Sequence, residues 1–420
     1  MHTPKEHRQL QVDAVARILA IAAVLVPCLA LAGHDPAVPK EDHAARSALN
    51  KVPAARSALR PIVATFSVAA YDPATGEVGV AVQSKFFGVG VVVPWCRAGV
   101  GAVATQAYAN TTYGVRGLEL MAEGTSPDAA ILELLKDDED RAHRQVGMVM
   151  VREATPGVTL KTAADTNAHH LTSMLPLGVA GSLAGVAATY TGEDCLDWAG
   201  GHAGVTADGI VYAAQGNILA GPGVVEAMAA AMEEADSVEL GELTDEEARA
   251  LETPDLAGRM LAALIAGQAA GGDSRGMQSA ALKVAQEGAG YGGFTDVKYD
   301  LRVDDAEDPF HELARLLNLA RPVSLAFEGY NKLYAGDFAA ATSIFSKLVE
   351  LEPESAGHHY NLACALSLSG SLDDAMEQLK IALELDPQML PHARGDSDLD
   401  PLRTREDFMS LLGEESASEE

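Results

Sequence analysis

The alternation of hydrophobic and polar positions is clearest near residue 65. In Thr65–Tyr71 (TFSVAAY) and again in Val78–Ser84 (VGVAVQS) every second residue is apolar, and the turn-forming sequence DPATGE separates the two runs. Period-two alternation on both sides of a short polar turn is typical of an antiparallel β-hairpin. The pattern therefore predicts two paired strands, with Thr65 at one end and with Ser84 and Lys85 at the matching end of its partner.

Strands and helices follow this hairpin in an order that indicates an α+β domain. The pattern predicts strands at about 100–107, 144–151 and 299–303, and helices at about 114–123 and 127–136. Strands grouped with paired helices suit a layered arrangement of sheet and helix. We place this predicted domain at residues 63–320.

A 34-residue repeat appears after Pro322. Residues of the same kind recur 34 positions apart: Gly336 and Gly370, Ala341 and Ala375, Phe345 and Leu379, Leu351 and Leu385, Pro353 and Pro387. This period is that of tetratricopeptide (TPR) repeats, which are pairs of helices. We expect an all-α module over residues 324–415 that binds a protein or peptide partner; the alternative is a helical appendage that only stabilises the preceding domain.

The N-terminus has the features of an export signal. Basic residues precede an apolar run, Ile18 to Ala32, which ends in the small-x-small sequence ALA. About 15 apolar residues suit a signal peptide and are too few to span a membrane comfortably. We expect a signal peptide at 1–32, a linker or pro-segment at 33–62, and a periplasmic or extracellular protein. The three cysteines beyond residue 32 are far apart and odd in number, which is no disulfide framework.

The charge of the chain limits its partners. Thirty Lys and Arg stand against 60 Asp and Glu, a net charge of −30. Such acidity disfavours binding to nucleic acid or to an anionic membrane surface. A neutral or cationic small substrate is easier to accommodate.

Thr65 is the candidate nucleophile. A threonine at the start of a strand can act through its hydroxyl if cleavage after Ala64 frees its α-amine to take the hydroxyl proton. Lys85 lies one hairpin away and could keep that amine neutral or stabilise an oxyanion; the alternative is a surface lysine at a strand end. Thr65 is equally compatible with a plain strand position.

Seven segments, in order, resemble the domain of unknown function family 1028, which is grouped with the N-terminal-nucleophile (Ntn) hydrolases. They cover about residues 63–318: TFSVAAYDPATGEVGVAVQSKFFGVGVVVPW (65–95), AGVGAVATQAYANTTYGVRGLELM (98–121), RQVG (144–147), TGEDCLDWAGGHAG (191–204), QGNILAGPGVVEAM (215–228), AGQAAGGDSRGMQSAAL (266–282) and DLRVDDAEDPFHEL (300–313). The resemblance implies a four-layer α-β-β-α sandwich. It also implies hydrolysis of an amide bond in a small amide or peptide, without a metal or an organic cofactor.

Within these blocks, polar residues in apolar or glycine-rich surroundings are candidates for the site. Asn217 is the expected oxyanion donor, since Ntn sites often recruit such an amide; the alternative is that it satisfies backbone groups in a turn. Gln106, Asn110 and His202 are candidate substrate-binding residues. The family pattern usually reads WAGH, whereas this chain has an extra glycine before His202.

Three further features leave alternatives open. In the glycine-rich segment 271–276, Asp273 and Arg275 are expected to shape the pocket wall, since no phosphate-binding signature is present. Residues 152–185 look like an insertion, whose adjacent His169 and His170 favour a solvated loop over a metal site. A binding or scaffold protein that keeps the fold without catalysis remains the alternative to the enzyme, and homo-oligomerisation stays open.

Overall fold

The structure is a computed structural model that describes residues 65–151, 186–233 and 240–413, together with the backbone of the strand Leu171–Met174. The predicted signal peptide, the linker or pro-segment, and most of the predicted insertion, including His169 and His170, lie outside the described residues. In the described ranges no helix is both long and apolar enough to cross a membrane.

The predicted hairpin is confirmed and forms the centre of a six-stranded antiparallel sheet. Its register runs from Thr65 opposite Ser84 to Tyr71 opposite Val78, and the turn closes where the N–H of Gly76, at φ 77°, donates to the carbonyl of Asp72. The sheet has the order β11-β10-β2-β1-β9-β8. Its strands are β1 (Thr65–Tyr71), β2 (Val78–Ser84), β8 (Gly200–Val205), β9 (Val211–Asn217), β10 (Ser279–Ala285) and β11 (Val297–Val303).

A second antiparallel sheet has five strands in the order β3-β4-β5-β7-β6. Its strands are β3 (Pro94–Arg97), β4 (Gly101–Ala107), β5 (Arg144–Met150), β6 (Leu171–Met174) and β7 (Val186–Thr191). The helices that accompany the two sheets are α1 (Thr112–Ala122), α2 (Pro127–Leu135), α3 (Gly223–Glu233), α4 (Asp245–Leu251) and α5 (Leu256–Ala269).

Alternate residues of each strand enter different apolar clusters. In β1, Phe66 and Val68 pack against α3 and α5, whereas Ala69 and Tyr71 pack against residues of β4 and β5 in the other sheet. A third cluster packs α1 and α2 on the far side of the second sheet. The two sheets therefore face each other, and helices cover the outer face of each.

The C-terminal region is all-α, as predicted. Its helices are α6 (Pro309–Tyr334), α7 (Phe338–Leu351), α8 (Ala356–Ser369), α9 (Leu372–Leu385), α10 (Leu390–Gly395) and α11 (Glu406–Leu412). Gly336 and Gly370, the repeated glycines, adopt φ values of 78° and 87° between paired helices. Ala341 and Ala375 are fully buried at matching positions, so the sequence repeat is also a structural repeat.

Helix α6 belongs to both regions, because it runs through Pro322 without a break. Its first half buries Leu313 and Leu317 against the sheet that contains β1, and its second half enters the helical cluster at Leu333. The expected junction near Pro322 thus lies inside one continuous helix.

Candidate functional site

Two rows of polar residues face each other at matching ends of the two sheets. In the first sheet, Ser84 and Asn217 lie directly opposite Thr65 on its two neighbouring strands. In the second sheet, Gln106 lies opposite Gln145. All five residues are fully buried, so their polar groups depend on one another for hydrogen bonds.

Thr65 has a hydroxyl group as its neighbour. Its Oγ1 donates to Oγ of Ser84 at 3.2 Å, and its carbonyl accepts from Nε2 of Gln106 at 3.3 Å. Sequence reasoning singled out Lys85 rather than Ser84 as the partner on β2. The register could have identified Ser84, because residues directly opposite in a hairpin point to the same face of the sheet.

Gln145, which sequence reasoning missed, joins the two rows. Its Oε1 accepts from Nε2 of Gln106 at 2.8 Å and from Nδ2 of Asn217 at 2.9 Å. Its Nε2 donates to the carbonyls of Gly216 at 2.7 Å and Gly200 at 3.1 Å. One amide therefore fixes the side chains on both sides of the gap between the sheets.

A second pair of residues extends this network one step along the strands. Oγ of Ser67 donates to Oε1 of Gln106 at 2.6 Å and accepts from Nε2 of Gln215 at 2.7 Å. Gln215 reaches across to β5, where a Cβ at Gly147 would lie 1.9 Å from its Oε1. Glycine at position 147 thus leaves room for a side chain from the other sheet.

The backbone turns sharply immediately after two of these residues. Ala107 follows Gln106 at φ 63°, and Ile218 follows Asn217 at φ 55°. They are the two residues other than glycine with positive φ in the described ranges. Side chains other than glycine rarely adopt this conformation, and such residues concentrate at functional sites.

A charged cluster braces the ends of β4 and β5. Arg144 donates to Asp138 through Nε at 2.9 Å, and the hydroxyl of Tyr113 donates to the same carboxylate at 2.7 Å. Burial alone would raise the pKa of Asp138, but the hydrogen bonds from Arg144 and Tyr113 outweigh it and lower the pKa to about 2. Asn110 also donates to Asp138, at 3.2 Å, so its side chain braces the strand ends.

Asp273 and Arg275 form a tight loop beside the end of β9. The Asp273 carboxylate accepts from Nη2 of Arg275 at 2.8 Å and from the backbone N–H of Lys85 at 3.1 Å. The backbones of Asp273 and Leu219 pair in an isolated antiparallel β-bridge, and the N–H of Ser274 donates to the carbonyl of Ile218 at 2.9 Å. The loop therefore ties the ends of β2 and β9 together, on either side of Thr65.

The structure places two predicted site residues away from the polar rows. Lys85 is exposed, and its Nζ donates to the carbonyl of Met277 at 2.9 Å. His202 is exposed on β8 opposite Ala214, whose side chain packs toward the outer helices, and its ring lies 5.9 Å from that of Tyr212. Thr65, Gln106 and Asn217 are thus brought together, and Lys85 and His202 are not part of that cluster.

The described ranges offer little support for a cysteine nucleophile or a metal site. Burial raises the pKa of Cys96 to about 12 and that of Cys195 to about 11, so neither is a thiolate nucleophile near neutral pH. Cys364 is also a free thiol. No group of three or more His, Cys, Asp or Glu side chains that could hold a metal ion is found in those ranges.

Comparison with known proteins identifies the family. Residues 65–181 and 177–313 match the family of unknown function DUF1028. The chain belongs to the DUF1028 family. The two matched parts meet inside the predicted insertion, and residues 332–395 match a tetratricopeptide repeat family. Both resemblances inferred from the sequence are confirmed.

Individual relatives cover the two regions separately. The chain is 35% identical over 71 residues to the small glutamine-rich tetratricopeptide repeat-containing protein 2 of Mycosarcoma maydis, which is 17% of this chain and 20% of that protein. The chain thus spans about a fifth of that relative. A crystal structure of a DUF1028 protein from Silicibacter pomeroyi is 27% identical, covers 61% of this chain and 89% of its own, and has a TM-score of 0.42.

Proposed function

We propose that this DUF1028 protein is an Ntn amidohydrolase whose nucleophile is Thr65. The observation that carries the proposal is the buried hydroxyl of Thr65 at the first position of β1, hydrogen-bonded to Ser84 and faced by the amides of Gln106, Gln145 and Asn217. Two facing sheets with helices on each outer face support the four-layer α-β-β-α sandwich that the resemblance implies. A strand-end threonine in such a sandwich is suited to Ntn chemistry.

The reaction begins once the Ala64–Thr65 peptide bond has been cleaved. The freed α-amine takes the proton of Oγ1 as Oγ1 attacks the carbonyl carbon of the substrate amide. The resulting ammonium gives that proton to the leaving amine as the C–N bond breaks, which leaves an ester on Thr65. A water molecule, deprotonated by the same amine, then hydrolyses the ester and restores the hydroxyl.

The first experiment asks whether Thr65 becomes the N-terminus and whether its hydroxyl reacts. The full chain is expressed, and intact mass with N-terminal sequencing is expected to give a mature chain beginning at Thr65. A β-lactone probe, which acylates hydroxyl groups by ring opening without a leaving group, is expected to add its whole mass to the peptide that begins with Thr65. A mature chain that begins upstream of Thr65, or a Thr65 that stays unlabelled, contradicts the proposal.

A matched pair of variants isolates the hydroxyl. Thr65→Ser keeps a hydroxyl and is expected to be processed and labelled, whereas Thr65→Ala is expected to lose labelling and hydrolysis of a panel of acyl p-nitroanilides. We expect Thr65→Ala to lower the free energy of unfolding by only about 1 kcal/mol, because one hydrogen bond to Ser84 is lost. Wild-type turnover by Thr65→Ala would exclude it as the nucleophile.

A non-catalytic binding or scaffold protein is the second candidate, and the burial of Thr65 favours it. Thr65 is 0% exposed, so a substrate reaches its hydroxyl only if the surroundings of this strand end change. In the non-catalytic alternative this burial is permanent and Thr65 is never freed. The N-terminal sequencing described above separates the two candidates.

The helical module is proposed to bind a protein or peptide partner, which its tetratricopeptide repeat match supports. Export to the periplasm or beyond, and assembly into a homo-oligomer, are also proposed. Cell fractionation tests export, light scattering of the purified chain tests assembly, and recovery of one defined partner by the full chain but not by a chain ending at Tyr334 tests the module.

A further inference from the structure

Backbone carbonyls fix the orientation of the amides around Thr65. A carbonyl can only accept a hydrogen bond, so Nε2 of Gln145 must face the carbonyls of Gly216 and Gly200, which lie 2.7 and 3.1 Å away. Nε2 of Gln106 is fixed in the same way by the carbonyls of Thr65 and Gln215, each at 3.3 Å. Neither amide can be turned over without placing oxygen against oxygen.

The orientation of Asn217 follows from that of Gln145. Because Oε1 of Gln145 can only accept, Asn217 must present its nitrogen to it, at 2.9 Å. Its carbonyl oxygen, Oδ1, then points elsewhere, and it is buried without a hydrogen-bond partner among the described residues. A buried acceptor without a partner costs about 1–3 kcal/mol of stability. A new donor placed beside Oδ1 of Asn217 would therefore form a favourable hydrogen bond.

Cleavage before Thr65 would supply a new donor opposite Asn217. Asn217 lies directly opposite Thr65 in the register of β1 and β9, and Cβ atoms of such pairs are about 4.5–5.5 Å apart. Cleavage before Thr65 would convert its single peptide N–H into an amine with additional N–H groups. The new donors would thus arise on the residue that faces Asn217.

We propose that Oδ1 of Asn217 accepts a hydrogen bond from the freed α-amine of Thr65 and holds that amine beside Oγ1, while Gln145 acts as the positioning residue that turns Asn217 this way. The proposal rests on the proposed function of Thr65. It replaces the role expected from the sequence, in which the nitrogen of Asn217 donates to an oxyanion.

The test measures the rate of β-lactone acylation of mature protein against pH, which requires no knowledge of the natural substrate. A free α-amine normally has a pKa of about 7.7–8.0. Asn217→Asp keeps the acceptor at Oδ1, loses the N–H that Asn217 donates to Gln145, and adds a negative charge that favours the ammonium, so the acidic limb of the profile should move up by about 1 pH unit or more. Asn217→Leu removes the acceptor, and we expect acylation to slow at least about tenfold at every pH, as for loss of a positioned catalytic group.

Asn331→Asp is the matched control. It adds the same charge on α6, where Asn331 donates to the carbonyl of Gly288 at 3.1 Å, and it should leave the profile unchanged. If Asn217→Asp does not fold, Gln145→Leu removes the acceptor that holds the nitrogen of Asn217 and should slow acylation at least about tenfold, as expected for a displaced catalytic group.

The outcomes separate this inference from the proposed function. A wild-type chain that is not cleaved at Thr65, or not acylated, overturns both. A wild-type chain that is cleaved and acylated, with an acidic limb that Asn217→Asp does not shift, overturns the inference alone; slow acylation by Asn217→Leu would then assign Asn217 to the oxyanion. Normal acylation by Gln145→Leu likewise overturns the inference alone.

Discussion

Replacing Gly147 by alanine should damage the contact between the two sheets. A Cβ at this position would lie 1.9 Å from Oε1 and 2.5 Å from Cδ of Gln215, so the Gln215 side chain must withdraw. It would then lose its hydrogen bonds to Oγ and to the carbonyl of Ser67, at 2.7 and 3.2 Å. Two buried hydrogen bonds at about 1 kcal/mol each, with about 1 kcal/mol or more for overpacking, give a loss of about 2–4 kcal/mol in the free energy of unfolding.

Tryptophan fluorescence during urea titration measures this loss of stability in the sheet-containing region. The chain has two tryptophans, Trp95 and Trp198, and both belong to the sheet-containing region, so the signal reports on unfolding of that region. Gly221→Ala is the matched control, because a Cβ there would meet no atom within 4 Å. We expect this control to change stability by less than about 0.5 kcal/mol.

A double-mutant cycle tests whether contact with Gln215 causes the loss of stability in Gly147→Ala. Gln215→Ala alone loses the same hydrogen bonds to Ser67, and with Gln215 shortened the alanine at position 147 should cost little more. The double variant should therefore be more stable than the sum of the two single losses predicts, by about 1 kcal/mol or more. Additive losses, or a Gly147→Ala loss below about 0.5 kcal/mol, would refute the reasoning from this contact.

Three further predictions concern ionisable groups elsewhere in the sheet-containing region and on α6. The pKa of Asp138 is lowered to about 2, so its carboxylate stabilises the fold by about 2 kcal/mol above pH 4. This contribution is lost as pH falls from about 4 to 2. In urea titrations the stability of Asp138→Asn should not show this additional decrease between about pH 4 and 2. Arg321→Met removes the partner that donates to Asp255 at 2.6 and 2.9 Å and should cost about 3 kcal/mol by the same assay. Arg315→Met, which removes an exposed ion pair with Glu312, should leave stability nearly unchanged. Half-buried Cys96, whose pKa desolvation raises to about 12, should react with Ellman's reagent far more slowly at pH 8 than after denaturation in urea; equal rates would contradict the raised pKa.

The sequence predicted elements that depend on local patterns. The hairpin at Thr65 follows from period-two alternation around a turn, and the helix pairs follow from a 34-residue repeat whose glycines, Gly336 and Gly370, end helices with positive φ. In both cases the information lies within a few tens of residues. Each prediction also needed no knowledge of what the element packs against.

The sequence did not predict Gln145, because its role depends on a contact between sheets. Gln145 is 80 positions from Thr65 and 72 from Asn217, and nothing local distinguishes it from a strand residue with an outward side chain. The junction with the helical module was also inaccessible, because Pro322 usually suggests a break. Here the helix continues through Pro322, and Arg321 beside it pairs with Asp255.

His202 shows how strand register decides which side chains reach a site. On β8, Gly201 lies opposite Gln215, on the face of the polar rows, and His202 lies opposite Ala214, on the face of the helices. Because side chains alternate along a strand, His202 lies on the face opposite to that of the polar rows. A Cβ at position 201 would also lie 2.7 Å from Oγ1 of Thr189. The face toward Thr65 therefore has no room for a side chain at position 201, where the chain has glycine.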